Sequence, residues 1–384
     1  MDPAAIERLI AEARAEDDDA ELPTVTFTLT RDLKKRLDRY LTDRITFMSR
    51  TQLQKLIDEG GVLVNGRRPK ASTTLRKGDT VEVVVPPPPP TEIQPEPIPL
   101  EVLFEDEHLI VINKSPDIIV HPARSHLSGT MVNALAWRLR HGAVGQGTVG
   151  GTVGQASRLP GEQRLSSVGA EFARPGVVHR LDRHTSGVIV FAKQDEAHWK
   201  LGHQFEHRRV DKRYLAVVHG TVEPAADTID LPIGPHPSRE KGYREKYVVR
   251  HDEQGKHALT ICRVRERYGK HAPDPAERFS LVELELKTGR THQIRVHLSY
   301  LGYAVVGDDM YGGRPFTHEG RTVIARQALH AALLGFQHPV TGERLVFTAP
   351  LRGDMAELVR LLRARPGFEA LNPQGATVDL NAAV

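Results

Sequence analysis

Within GVVHRLDRHTSGVIVFAK, residues 176–193, five titratable side chains (His179, Arg180, Asp182, Arg183 and His184) fall in six positions between apolar runs. A carboxylate flanked by guanidiniums can serve as a nucleophile, because nearby positive charge favours its ionised form and buried flanks restrain the backbone that carries it. A solvated turn closed by a structural ion pair would show the same pattern, and adjacency in sequence does not establish side-chain contact. A second segment, KTGRTHQIRVHLSYL at 287–301, places Thr291 as a helix N-cap ahead of an apolar face of Ile294, Leu298 and Leu301. Arg290 then falls beside the helix's N-terminal donors, where a phosphate or carboxylate binds well. His292 and His297 are five apart and do not share a helical face, so they read as packed or RNA-contacting histidines and not as a metal pair. Tyr214, in KRYLAVV, is either a core aromatic or a phenol placed to stack on an extruded base and move a proton.

The elements that must position these groups are legible as strands and helices. GVIVFAK, RYLAVVHG, HALTICRV and FSLVELEL read as strands, as do the apolar runs of EVLFEDEHLIVINK. DEAHWKLGHQFEHR, THQIRVHLSYLG and DMAELVRLLRAR read as helices. Adjacent strands with interspersed helices favour an α+β fold with a mixed, largely antiparallel sheet over a regular alternating arrangement. Upstream, residues 31–86 predict a small α/β module. Leu33, Leu37, Tyr40 and Leu41 recur at helical spacing, and Ser49 caps a second helix containing Leu53, Leu56 and Ile57. An Asn65-Gly66 turn follows, then the strand DTVEVVV. Five prolines at 86–90 mark 87–99 as an interdomain linker, residues 1–30 form an acidic extension, and 366–384 form a mixed polar tail. Glycine-rich 141–172 lacks an apolar period and reads as a long flexible loop inserted in a second domain spanning 100–365; its glycines lack the lysine of a phosphate cradle.

Composition bounds the rest. With 384 residues, 39% hydrophobic and 26% charged, the chain is long enough for two or three globular domains. No apolar run is long enough for a membrane helix and the N-terminus lacks a leader pattern, which points to the cytoplasm. A lone Cys262, in an alternating strand run, excludes an internal disulfide framework and reads as a buried structural thiol. The net charge of +3 conceals an uneven distribution: residues 1–30 hold 2 Lys/Arg against 8 Asp/Glu, and residues 31–90 hold 13 against 7. The basic segment suits a polyanion, and equally a solvated surface.

GVVHRLDRHTSGVIVFAK, KRYLAVVHG and LKTGRTHQIRVHLSYLG, in that order, resemble the ribosomal large-subunit RNA pseudouridine synthase family, over about residues 100–360. RLDRYLTDR, SRTQLQKLIDEGGVLVNG and RKGDTVEV resemble the RNA-binding module first recognised in a ribosomal small-subunit protein, S4. The resemblance implies isomerisation of uridine in RNA, most simply large-subunit ribosomal RNA, by a chain needing no cofactor, metal or protein partner; a monomer is the default. It assigns the catalytic aspartate to Asp182, the base-contacting tyrosine to Tyr214 and the basic partner of Asp182 to Arg290. Arg180 would open the RNA and fill the space left by a flipped base, with Lys114 and Arg295 near the cleft or its RNA-facing rim. Leu181 and His292 complete the substrate-binding set, and Arg39, Arg50, Lys55, Arg67 and Arg68 would form the RNA-binding face of the first module. Asp182 would either attack the anomeric carbon or abstract the ribose 2′ proton; sequence does not choose. Three features depart from the family pattern: Lys114-Ser115-Pro116-Asp117 in place of lysine, proline and glycine, His184 where an acidic residue is usual, and the glycine-rich insertion. A non-catalytic RNA-binding assembly factor and an RNA glycosidase are the competing classes.

Overall fold

The computed structural model describes residues 24–32, 34–45, 48, 50–58, 60–84, 93–121, 128–141, 165–167, 175–237 and 246–383. Residues 1–23 of the acidic extension, Leu33, Ser49, the proline run and almost all of 141–172 lie outside these residues. Two compact units divide between Thr91 and Glu92.

In the first unit, β1 (Thr24–Thr28) is followed by α1 (Leu37–Thr42), α2 (Arg50–Asp58), β2 (Val62–Val64) and β3 (Thr80–Val84). The strands form an antiparallel sheet in the order β1-β3-β2. Leu37 and Leu41 of α1, with Leu53 and Ile57 of α2, bury their side chains against Val25, Phe27, Val81 and Val83. That cluster is what the i, i+4 spacing and strand alternation were written to make. Asn65 and Gly66 turn the chain after β2 with φ of 52° and 71°, the left-handed conformations that favour this pair.

Asp38 is fully buried beneath this core's edge, receiving Arg36 at 3.2 Å, Arg50 at 2.7 Å and Gln54 at 2.8 Å. Burial pushes its pKa up, but these donors and the Arg39 backbone N–H outweigh burial and hold the carboxyl far below the usual range. Arg50, expected on the RNA face, thus spends its Nε and Nη2 donors tying α2 to α1. Arg39, Arg67 and Arg68 are exposed. The side chain of Lys55 lies outside the described residues.

The second unit runs β4 (Glu101–Glu105), β5 (Leu109–Lys114), α3 (Met131–His141), β6 (Ser186–Ala192), α4 (Asp195–Glu206) and β7 (Asp211–His219). Then come β8 (Ala226–Asp230), β9 (Ile233–Pro235), β10 (Tyr247–Val249), β11 (Leu259–Tyr268), β12 (Phe279–Leu286) and α5 (Gln293–Tyr300). It ends with β13 (Phe316–His318), β14 (Arg321–Ile324), β15 (Leu329–Gln337), β16 (Arg344–Thr348), α6 (Gly353–Arg363), β17 (Glu369–Ala370) and α7 (Leu380–Ala383). A ten-stranded sheet is ordered β17-β11-β12-β7-β15-β6-β5-β4, with β16 on β15 and β8 on β11. Only β15 and β6 pair in parallel; every other ladder in it is antiparallel. The fold is therefore α+β, with the mixed, largely antiparallel sheet expected.

β5 and β6 are buried on both faces. Ile110, Ile112, Ile189 and Phe191 face α3, whereas Leu109, Val111, Val188 and Val190 face α4. Three boundary readings change: Thr24–Thr28, placed in the acidic extension, form β1 and bring Val25 and Phe27 into the first unit's core, and two others lie in the second unit. Residues 93–99 belong to this unit, because Ile93 and Ile98 pack beside α3 and Asn133 donates to the Gln94 carbonyl at 2.8 Å. Residues 366–383 are no loose tail: β17 pairs with β11, Val378 and Ala383 enter the core, and buried Glu283 accepts the Thr377 N–H at 2.9 Å as well as Arg265. These anchors are single apolar residues without a period, which is why a pattern reading passes over them.

Candidate active site

Asp182 sits in the turn entering β6, and the neighbouring structure holds that turn from beneath. The Lys114 side chain is 1% exposed and its ammonium donates to the carbonyls of Ser115 at 2.8 Å, Arg183 at 2.9 Å and Thr185 at 2.9 Å. Burial lowers its pKa to about 7. Lys114, expected near the cleft or its RNA-facing rim, thus braces the Asp182 turn from below with its ammonium on these carbonyls. Arg326 grips the other side, donating to the His184 carbonyl at 2.9 Å while forking onto Asp354 at 2.6 and 2.8 Å. Leu181 is buried in the α3-side core and anchors the turn; it borders the cleft without exposing a surface for substrate. His179 accepts the Val190 N–H at 3.1 Å, and burial pushes its pKa down to about 3, so a neutral ring links the turn to β6.

The Asp182 side chain is 23% exposed, at the floor of a cleft of about 420 Å³. Its basic partner is Arg295, at 3.3 Å. Arg290, expected in that role, instead donates its Nε to the His257 carbonyl at 3.0 Å and lines the cleft wall. α5 begins at Gln293, one residue after a left-handed His292 at φ 56°, and neither Thr291 nor His292 caps it through a side chain. Arg295 then falls in the first turn and is buried facing Asp182, while Arg290 stays in the preceding loop. Gln293 Oε1 accepts the Arg290 N–H at 3.0 Å and ties the preceding loop to the first residue of α5.

Arg295 is itself held by Asp308, through Nε at 2.6 Å and Nη2 at 2.8 Å. This two-pronged clamp leaves Nη1 for Asp182 and fixes the carboxylate's orientation. His292 places Nε2 3.8 Å from the same Asp182 oxygen. Its Nδ1 meets the Tyr311 hydroxyl at 2.8 Å, and that hydroxyl already accepts the Tyr247 N–H at 3.0 Å. A hydroxyl that donates to Nδ1 leaves the proton of a neutral His292 on Nε2, toward Asp182. Burial lowers the His292 pKa, against the pull of Asp182, and supports the neutral form.

Tyr214, on β7, lines the cleft beside Asp182. Burial, aided by the Asp182 charge, raises its pKa well above that of an ordinary phenol. The raised value keeps the phenol neutral, as a stacking surface and a hydrogen-bond donor. Arg180 is exposed at the same cleft. His184 lies 3.8 Å from Asp117, so the two local departures from the family pattern face one another. Asp308, Tyr311, Arg326 and Asp354 escaped sequence reasoning: each acts through a partner distant in the chain, and none stands in a patterned run. Lys212 and Arg208, also on the cleft wall, were missed too, although Lys212 lies two residues before Tyr214 and so on the same strand face.

Among the described residues, no group of three or more His, Cys, Asp or Glu could hold a metal ion, and no helix is long and apolar enough to cross a membrane. Cys262 is buried, and burial raises its thiol to about 12.

The site is thus a part-exposed carboxylate oriented by a buried guanidinium, with a tyrosine lining the same polar cleft. Comparison with known proteins supplies the class: the family described as RNA pseudouridylate synthase matches residues 108–300, and the S4 domain matches residues 35–81. The chain is 40% identical to an uncharacterized RNA pseudouridine synthase, YlyB, of Bacillus subtilis, over 86% of this chain and 94% of that one. It is 38% identical to a ribosomal large subunit pseudouridine synthase D of Zymomonas mobilis, over 89% and 98% of the two chains. A synthase of the same name from Vibrio cholerae is 35% identical over 86% and 92%. The chain belongs to the RNA pseudouridylate synthase family and is an RNA pseudouridine synthase with an N-terminal S4 domain.

Proposed function

We propose that this enzyme isomerises specific uridines of large-subunit ribosomal RNA, with Asp182 as the catalytic carboxylate and the target nucleotide turned out of its stack. The observation that carries this reading is the Asp308–Arg295–Asp182 relay. One carboxylate is held in a fixed orientation, partly open to a cleft beside an aromatic ring, while the other is consumed in holding the guanidinium. The reaction breaks the bond between the ribose C1′ and uracil N1 and forms one between C1′ and C5; the C5 proton is lost and N1 takes up a proton, so the composition is unchanged. Asp182 takes part in the cleavage, by adding to C1′ or by removing the 2′ proton, and both routes need the orientation that Arg295 imposes. Tyr214 offers its ring to the detached uracil. That stacking keeps the base from diffusing away before it rotates, and separates an isomerase from a glycosidase. A base inside a duplex cannot reach Asp182, so extrusion precedes chemistry, and Arg180 at the cleft mouth is placed to occupy the vacated space.

The names of the relatives support large-subunit ribosomal RNA as the substrate class, and the exposed Arg39, Arg67 and Arg68 of the S4 domain supply sequence-independent contacts to its backbone. The test is to incubate the purified chain with transcripts of large-subunit, small-subunit and transfer RNA and map pseudouridine at nucleotide resolution. Modification confined to the large-subunit transcript is expected; modification of transfer RNA alone would refute the substrate assignment.

A further inference from the structure

One wall of the cleft carries two cations that the proposed chemistry leaves unused. Lys212 lies two residues before Tyr214 on β7, a step of about 7 Å along the same strand face. Its side chain is half-buried, burial and the neighbouring Arg208 lower its pKa to about 8, and it has no hydrogen-bond or ion-pair partner among the described residues. Glu206, the carboxylate on that wall, forms no ion pair with it. A half-buried ammonium beside a guanidinium, with no counter-charge, is unfavourable unless an anion arrives. The ammonium lies against Gly289, where a methyl group would sit 3.5 Å from Nζ, in van der Waals contact.

Arg208 is held at a cost of its own. It ends α4 in the left-handed conformation, φ 57°, with the Arg209 N–H on the Gln204 carbonyl at 2.9 Å and its own N–H on Phe205 at 3.3 Å. That paired arrangement favours glycine at the position Arg208 occupies. The side chain, not the backbone, accounts for an arginine there, and that side chain lines the cleft with Asp182, Tyr214 and Lys212.

We infer that Lys212 and Arg208 form a binding site for a backbone phosphate adjoining the target nucleotide, which fixes the register of the RNA relative to Asp182. The inference rests on the cleft being the RNA site. The full chain, the Lys212→Met variant and the Arg208→Gly variant are compared on a large-subunit ribosomal RNA transcript by filter binding across a salt series and by single-turnover rates. Both substitutions should raise the half-saturating RNA concentration about tenfold, and each should reduce the slope of log Kd against log salt by about 0.7, the value for one single-strand phosphate contact. Arg208→Gly should at the same time raise the melting temperature, because it relieves the backbone; a merely structural arginine would not pair a more stable fold with weaker RNA binding. Lys212→Arg should restore the slope. Unchanged slopes in both variants, or a Lys212→Met protein whose saturating rate falls while its slope stays at the wild-type value, would overturn the inference. The salt series is repeated in an Asp182→Asn background. An active Asp182→Asn protein would refute the catalytic reading and leave the anion site standing on its own binding data.

Discussion

Replacing Arg295 by lysine tests the relay that orients Asp182. The guanidinium makes three bonds at once, two to Asp308 at 2.6 and 2.8 Å and one to Asp182 at 3.3 Å. An ammonium is a single point of charge and cannot span both carboxylates; buried Asp308, the closer of the two, will retain it. Asp182 then loses one charge-assisted hydrogen bond, worth about 1.5–3 kcal/mol. The bond is long, so about 2 kcal/mol is the working figure, or roughly a 30-fold slower chemical step. The assay is release of tritium from C5 of labelled uridine in a transcript, with enzyme in excess, alongside filter binding. Arg295→Lys should slow the saturating rate with Kd within about threefold of wild type. Arg290→Met should do the reverse, because Arg290 faces the cleft without touching Asp182. A fast Arg295→Lys enzyme together with a slow Arg290→Met enzyme would refute the relay and restore the pairing expected from sequence.

Lys114→Met should leave the carbonyls of Ser115, Arg183 and Thr185 without their buried donor and cost about 2–4 kcal/mol, read as a fall in melting temperature with a parallel loss of activity. Gly187→Ala should cost about 3 kcal/mol or more, since φ is 113° and an added Cβ would fall 2.2 Å from the Ala331 carbonyl across the parallel β6–β15 pair; chemical denaturation measures it. Asp38→Asn should destabilise the S4 domain by about 2–3 kcal/mol at pH 7, toward the low end for a buried pair because its arginines are half in water. The folded-state pKa of Asp38 is depressed, so its contribution is full above the unfolded value near 4 and is lost as pH falls below it. The gap between wild type and variant should therefore close in acid titrations followed by circular dichroism.

Most of the fold was readable because its signals are local. Alternation in β11 and β12, buried runs in β5 and β6, and the Asn65-Gly66 turn each follow from a few neighbouring residues. Asp182 stood out for the same reason, as a lone carboxylate in a basic turn with apolar flanks. Its partner did not, because which of Arg290 and Arg295 reaches it is set by distant partners, Asp308 holding Arg295 and the His257 carbonyl holding Arg290. A left-handed His292 starts the helix later than the Thr291 cap predicts. Asp308 clamps Arg295 from 13 residues away, and Lys114 supports the turn from 69 and 71 residues away. Arg50 and Lys114 share another lesson: basic residues expected on or near RNA were recruited by buried acceptors, and burial is not written in a residue's type.

The central claim is that Asp182 carries the chemistry and not the binding. Wild-type and Asp182→Asn proteins given the same large-subunit ribosomal RNA transcript, with pseudouridine mapped at nucleotide resolution and RNA retention measured in parallel, test it most directly. The account predicts retained binding with modification abolished at every site. Modification by Asp182→Asn at an undiminished rate would contradict it.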